Sequence, residues 1–363
     1  MWNKTRAAEL LKIKYPIIQG PFGGNFSSVK LVSTVSNLGG MGSFGLNSYT
    51  PEDILKIDKE IKNLTNKPYV LNLWVPLKND PVDNYKKEDF EVLKKSFKPY
   101  FEQLQVPLPE MSKPTTQNFE LQVEAIFKSK PPVASFIFGI PSKEVIVELK
   151  KRGIVTIATA TTLEETLMIE EAGIDLVIAS GSEAGGHRAS FVKPAEESLT
   201  CKRLLVHQIV DNISIPVIAA GGISNGKDIA DILKLGASAV QIGTAFLATN
   251  ESNAPAIHKS KLLASEPIKT DLTTVYTGRL ARAISNNLSK DFNNSDHEIL
   301  APYPIQSAFL SSLRKASLEQ NNSDFVAYWS GQLSTLLKHT SAEKLFGSLI
   351  EETSKETSIY KSR

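Results

Sequence analysis

Eight short apolar runs, rich in β-branched residues, dominate this chain, and most are separated by stretches carrying helix start and stop signals. The runs are Pro16–Gly20, Gly42–Phe44, Tyr69–Val75, Ala134–Gly139, Ile154–Ala158, Asp175–Ala179, Pro216–Gly221 and Ala239–Gly243. They are mostly continuous in their apolarity, which is the pattern of strands buried on both faces of a parallel sheet. Between them, Ser27/Ser28 stand ahead of Val29, Val32, Val35 and Leu38 at helical spacing, with Gly39 beyond. Ser142 and Gly153 bracket a second helix, and Asn225 and Gly236 a third. Thr162 and Glu165 have the spacing of a capping box, and Gly173 closes that helix. Strand–helix alternation of this kind predicts an α/β protein. Eight units ending near residue 249 match a (β/α)8 barrel of about 250 residues, the TIM-barrel architecture.

Two segments exceed a minimal barrel. Residues 77–132 are charged and punctuated by proline, with amphipathic stretches at Phe90–Phe97 and Phe119–Phe127; they read as a helical insertion after the third strand. Residues 251–350 read as an α-helical C-terminal segment, a lid or second domain, and 351–363 as a frayed tail. The barrel itself is assigned to 1–250.

Bulk properties exclude several partners. The net charge of +2 is spread over 41 basic and 39 acidic residues, so neither nucleic acid nor a membrane surface is an expected partner. The longest apolar runs are far shorter than the roughly 20 residues of a spanning helix. The single cysteine, Cys201, excludes an internal disulfide, and metal binding is not expected. An N-terminus without an apolar signal core makes the cytoplasm the expected compartment.

The chemistry-bearing residues cluster after strands. Gly221-Gly222 and Gly243-Thr244 follow the seventh and eighth runs, where this architecture uses backbone N–H groups to cradle a phosphate; plain turn glycines are the competing reading. The strand ends at Gln19-Gly20-Pro21-Phe22-Gly23-Gly24 and Gly39-Gly40-Met41-Gly42 would bring backbone against a flat ring. Asn72 would offer an amide to that ring, or else serve only as a local backbone cap. A flavin mononucleotide (FMN) answers both requirements. Gly40-Met-Gly-Ser-Phe-Gly45 matches the dinucleotide fingerprint, but a helix precedes it and a loop follows, the reverse of what the fingerprint requires.

His187 is the candidate acid–base group. It lies in Ser180–Phe191, SGSEAGGHRASF, beyond the sixth strand and beside Gly185, Gly186 and Arg188. An imidazole there suits proton transfer near neutrality; the alternative is a donor to phosphate or to a loop carbonyl. His207, His258, His297 and His339 read as structural or surface residues.

These motifs together resemble the nitronate monooxygenase family, formerly 2-nitropropane dioxygenases, of the bacterial class I type. The resemblance runs through YPIIQGPFGG (15–24), NLWVP (72–76), FGIP (138–141), GSEAGGHR (181–188), PVIAAGGI (216–223), VQIGTAFL (240–247), GRLAR (278–282), YPIQ (303–306) and WSGQ (329–332). Flavin-dependent enoyl-acyl-carrier-protein reductases share the barrel motifs; Arg188, GRLAR, YPIQ and the long C-terminal segment favour the monooxygenase. The resemblance implies noncovalent FMN, no metal, and oxidation of alkyl nitronates, propionate 3-nitronate in particular, with O2 to a carbonyl compound and nitrite. It implies His187 as the catalytic or substrate-binding residue and Tyr303 as a substrate contact. The FMN contacts it implies are Asn72, Gly185, Gly222, Gln241, Ile242, Gly243 and Thr244, with Gln19, Gly20, Pro21, Ser180 and Gly221 alongside. Ser180 stands where the family pattern has a flavin-bonding Gln, and Ala189 replaces the usual Gly. The alternatives are an NAD(P)H-using enoyl reductase and a flavin-binding protein without turnover. The assembly state, a homodimer included, stays open.

Overall fold

A computed structural model describes the whole chain except residues 78–84, 113–115, 294–299 and 362–363, so part of the insertion and His297 lie outside the described residues. The strands are β1 (Ile17–Gln19), β2 (Gly42–Gly45), β3 (Tyr69–Trp74), β4 (Val133–Ile137), β5 (Val155–Ala160), β6 (Leu176–Ser180), β7 (Gly186–His187), β8 (Val217–Ala220), β9 (Ala239–Ile242), β10 (Thr270–Thr273) and β11 (Ala281–Ile284). Eight of them form one parallel sheet in the order β1-β9-β8-β6-β5-β4-β3-β2. A parallel bridge between Ile18 and Met41 joins its two edges and closes the barrel. Gln19 seals the same seam, its Oε1 accepting the Ser43 N–H at 3.0 Å. The fold is the (β/α)8 barrel expected from the sequence, built from the eight runs that predicted it.

Side chains alternate along the strands between the barrel interior and the helix layer. Ile157, Ile178 and Ile218 pack inside, whereas Ala158, Val177 and Val217 face the surrounding helices. Ala7, Ala8, Leu11 and Ile13, on and just beyond the N-terminal helix Arg6–Leu11, join the interior cluster where the strands begin. That plug leaves the opposite, C-terminal mouth for chemistry.

The helix caps follow the sequence with one exception. Ser28, Ser142, Thr162 and Asn225 each accept the N–H three residues on. The Glu165 carboxylate does not close a capping box. It is fully buried and instead accepts from Thr161 N–H and Oγ1–H and from the Phe191 N–H, tying β5 to the chain beyond His187.

The glycines at 40–45 are each packed tightly against other parts of the chain. A Cβ on Gly40 would meet the Phe346 ring at 2.6 Å, one on Gly42 the Val32 carbonyl at 2.3 Å, and one on Gly45 the Phe22 carbonyl at 2.4 Å. Gly42–Gly45 is itself the strand β2.

Outside the barrel, helix Lys87–Gln103 of the insertion packs Phe90, Leu93, Phe97 and Phe101 against Leu288, Phe292, Ile305 and Phe309. The Phe97 and Phe292 rings stack at 4.5 Å. Burying each such side chain stabilises by about 1.5–3 kcal/mol. The C-terminal segment is not purely helical as expected: β10, β11 and β7 form a small antiparallel sheet. Nor does the chain fray from Glu351. Helix Ala342–Lys361 continues there because Glu352 accepts the Gly226 N–H at 2.8 Å and Thr353 is buried. Among the described residues no helix is long and apolar enough to cross a membrane.

Candidate active site

Beyond β6 the chain turns outward, and Gly186–His187 pairs antiparallel with β11, His187 opposite Ala281 and Gly186 opposite Arg282. Two residues are too few to show a period-2 pattern, so this strand was not legible in the sequence. Its partner is the GRLAR segment.

Four aromatic rings surround the His187 ring: Trp74 at 5.3 Å, Trp329 at 5.5 Å, Tyr303 at 6.1 Å and Phe138 at 6.2 Å. Phe138 has φ +68, a conformation that costs a side chain about 1–2 kcal/mol. It packs edge-on against Trp74 at 4.8 Å. Burial among these rings, with Arg279 adding a like charge, pushes the His187 pKa down to about 3. The imidazole is therefore neutral at physiological pH. His187 Nε2 lies 3.0 Å from Thr277 Oγ1, whose own proton reaches the Arg279 carbonyl at 3.2 Å. With that bond made, Nε2 is the donor and Nδ1 carries the lone pair.

Arg188 faces away from this cage. It is 6 % exposed and donates to the carbonyls of Ser198 at 2.9 Å, Ser180 at 2.6 Å and Thr161 at 3.2 Å. Burial lowers its pKa only to about 10, so it remains a cation, binding the ends of β5 and β6 to the segment behind His187.

Across the mouth, Gly221 (φ +108) and Gly222 (φ +63) follow β8, and Gly243 and Thr244 follow β9. Among the described residues, the backbone N–H groups of Gly221, Gly222, Gly243 and Thr244 meet no protein acceptor. A Cβ on Gly243 would meet only the Phe22 ring, at 3.9 Å. A strap from the C-terminal segment runs beside this row. Gly331 N–H donates to Thr244 Oγ1 at 2.9 Å, and Gln332 N–H to the Glu183 carbonyl at 2.9 Å. A Cβ on Gly185 would strike Gly331 N at 2.5 Å, and one on Gly222 the Gln332 carbonyl at 2.4 Å.

The remaining candidates divide. Gln241 is half-buried at the end of β9, its amide without a hydrogen-bond partner among the described residues, and Ile242 is buried beside it. Asn72 is buried on β3 and donates to Ser135 Oγ at 2.9 Å, and among the described residues its Oδ1 meets no donor. The Gln19 amide is taken by Ser43 and by the Gly20 carbonyl; it holds the seam, with Pro21 half-buried beyond it. Ser180 contributes its carbonyl to Arg188. Tyr303 joins the cage, its hydroxyl accepting from Asn47 at 3.2 Å. Sequence reasoning assigned no role to Trp74, Phe138, Thr277, Arg279, Trp329 or Gly331. All but Thr277 lie in motifs that carried the resemblance, and only the fold brings them to His187.

A profile of the nitronate monooxygenase family matches residues 4–352. The chain belongs to the nitronate monooxygenase family. A probable nitronate monooxygenase of Staphylococcus haemolyticus is 38 % identical over 354 residues, 97 % of this chain and 98 % of that protein. One of Staphylococcus saprophyticus is 39 % identical over 350 residues, 96 % and 97 % of the two chains. Among solved structures, a nitroalkane oxidase from Streptomyces ansochromogenes superposes with a TM-score of 0.88 at 32 % identity, covering 97 % of this chain and 99 % of the other. FabK from Thermotoga maritima has a TM-score of 0.74 at 24 % identity over 99 % of each chain, a likeness of fold alone. This nitronate monooxygenase family member is an oxidoreductase of a flavoenzyme family whose activity is nitronate oxidation.

Proposed function

We propose that the protein oxidises alkyl nitronates, propionate 3-nitronate among them, with O2 to a carbonyl compound and nitrite, using FMN at the barrel mouth. The observation that carries this reading is one juxtaposition. Four acceptorless backbone N–H groups at Gly221, Gly222, Gly243 and Thr244 lie at the same end of the barrel as the aromatic cage around His187. A row of bare N–H donors with open space at Gly243 fits a phosphate. The partnerless Gln241 amide and Asn72 Oδ1 fit the polar edge of a flavin ring, and Gly20, Gly185 and Pro21 would flank it. When bound, the flavin accepts electrons from the substrate and hands them to O2.

The chain's own part is binding, shielding and proton control. Trp74, Phe138, Tyr303 and Trp329 wall the space beside His187 from water, which strengthens every charge interaction inside. His187 Nδ1, neutral and weakly basic, takes a proton from carbon poorly. A pre-ionised nitronate needs no such transfer, and this favours nitronates over neutral nitroalkanes. The insertion helix and residues 251–350 would form the lid.

Anaerobic mixing of flavin-loaded protein with butyl 1-nitronate, and separately with NADH, tests the reading. Bleaching of the flavin by the nitronate alone is expected. Bleaching by NADH alone would assign an enoyl-reductase-like activity instead, and bleaching by neither would leave a flavin carrier.

A further inference from the structure

The bare N–H groups at Gly221, Gly222, Gly243 and Thr244 offer dipoles but no full charge. The helix that begins beside them, Thr244–Leu247, is a single turn, so its dipole is small. The next helix to start there, Gly226–Lys234, has its first N–H taken by the Glu352 carboxylate at 2.8 Å. Other carboxylates stand close. Asp228 accepts the Ser224 N–H at 3.0 Å, and a Cβ on Gly222 would meet the Glu183 Cβ at 3.1 Å. A phosphate monoester carries nearly two negative charges at neutral pH, so holding one in this setting calls for a cation.

Lys202 is placed to be that cation. It is half-buried at the start of helix Lys202–Val210, where its backbone N–H donates to Glu183 Oε2 at 2.8 Å. A Cβ on Gly181 would strike Lys202 N at 2.5 Å, so the bare glycine lets this helix begin against the end of β6. From there Lys202 Nζ reaches the Gly222 carbonyl at 3.4 Å, in the same residue whose N–H belongs to the cradle. That long bond uses one of the three ammonium N–H groups, and among the described residues the other two meet no acceptor. The neighbouring cations are placed otherwise. Arg188 and Arg282 donate to the Ser180 and Ser182 carbonyls at the end of β6, and Lys227 is exposed on its helix.

We propose that Lys202 supplies the positive charge for the FMN phosphate, and that it thereby makes the cradle select phosphorylated flavin over riboflavin. The inference rests on the FMN reading under Proposed function and deepens it. The lysine's flexible four-carbon stem lets the ammonium move from the Gly222 carbonyl toward a phosphate oxygen. A bond to phosphate is charge-assisted, shorter and stronger than the long bond it replaces. Backbone N–H groups then fix where the phosphate sits, and Lys202 decides how much its charge contributes to holding the cofactor.

The test titrates FMN and riboflavin into deflavinated parent, K202M and K202R proteins and follows the flavin's own emission. K202M should bind FMN at least tenfold more weakly with native circular dichroism, while its riboflavin affinity changes less than threefold. K202R keeps the charge and should hold FMN within threefold of the parent. Raising the ionic strength should weaken FMN binding more in the parent than in K202M, because salt screens the attraction that only the parent has. Equal FMN affinity in K202M and parent, or an equal loss for FMN and riboflavin, would overturn the inference and leave the FMN reading standing; the lysine would then only tether the Gly222 carbonyl. A parent that binds no FMN would overturn both.

Discussion

His258 Nε2 and the Trp329 carbonyl lie 3.0 Å apart, and because a carbonyl can only accept, His258 is the donor and its tautomer is fixed. The ring is 1 % exposed and packs edge-on against Phe26 at 5.6 Å and Tyr328 at 5.3 Å. This imidazole joins the loop after β1 to the strap whose tryptophan packs on His187.

Burial pulls the His258 pKa from 6.5 down to about 4. Between those values the unfolded chain binds a proton that the folded chain does not, so this group costs stability as pH falls from about 6.5 through 4. In His258→Gln that loss disappears. Its destabilisation relative to the parent should shrink by about 2 kcal/mol between pH 7 and 4.5. Urea midpoints at the two pH values check it; a constant difference would mean that folding leaves the His258 pKa unshifted.

With its pKa near 3, His187 is neutral across the working range. The pH profile of kcat/KM for a pre-ionised nitronate should therefore show no inflection from this residue above about pH 5. An inflection near 6.5 that vanishes in His187→Asn would refute the neutral assignment. The same variant should keep its flavin, and because so weak a base takes a proton from carbon poorly, turnover of a neutral nitroalkane should fall less than about tenfold.

Gly222→Val should release bound flavin while far-UV circular dichroism stays native. Its φ of +63 disfavours any side chain, and the new Cβ would meet the Gln332 carbonyl at 2.4 Å, displacing the strap. The strain is about 1–2 kcal/mol, too little to unfold a barrel. Unchanged flavin content would remove Gly222 from the cradle.

Arg188→Leu should destabilise the protein by at least about 3 kcal/mol, because three carbonyls lose a buried charged donor. Arg188→Lys should cost less. Chemical denaturation measures both, and a neutral Arg188→Leu would mean the network relaxes around water.

The barrel was readable because parallel strands buried on both faces leave continuous apolar runs, and because Ser28, Ser142, Thr162 and Asn225 announce their helices locally. The position of Gly221, Gly222 and Thr244 at the barrel mouth was readable for the same reason, each lying within two residues of its strand's end. The paired glycines at 40–45 were ambiguous. Turn, ring contact and tight packing all favour glycine, and only the neighbours Val32, Phe22 and Phe346 decide among them.

The sequence by itself determined the order of the barrel's strands and helices, the end of the barrel where glycines and His187 gather, and the family. Tertiary structure alone decided the state of that histidine and the company it keeps. Trp74, Phe138, Arg279, Tyr303 and Trp329 are up to 255 residues apart in the numbering, and no local periodicity links them. An imidazole's charge depends on which rings exclude water from it and which cations lie near, and those neighbours exist only once β7 has paired with β11 and the strap has closed.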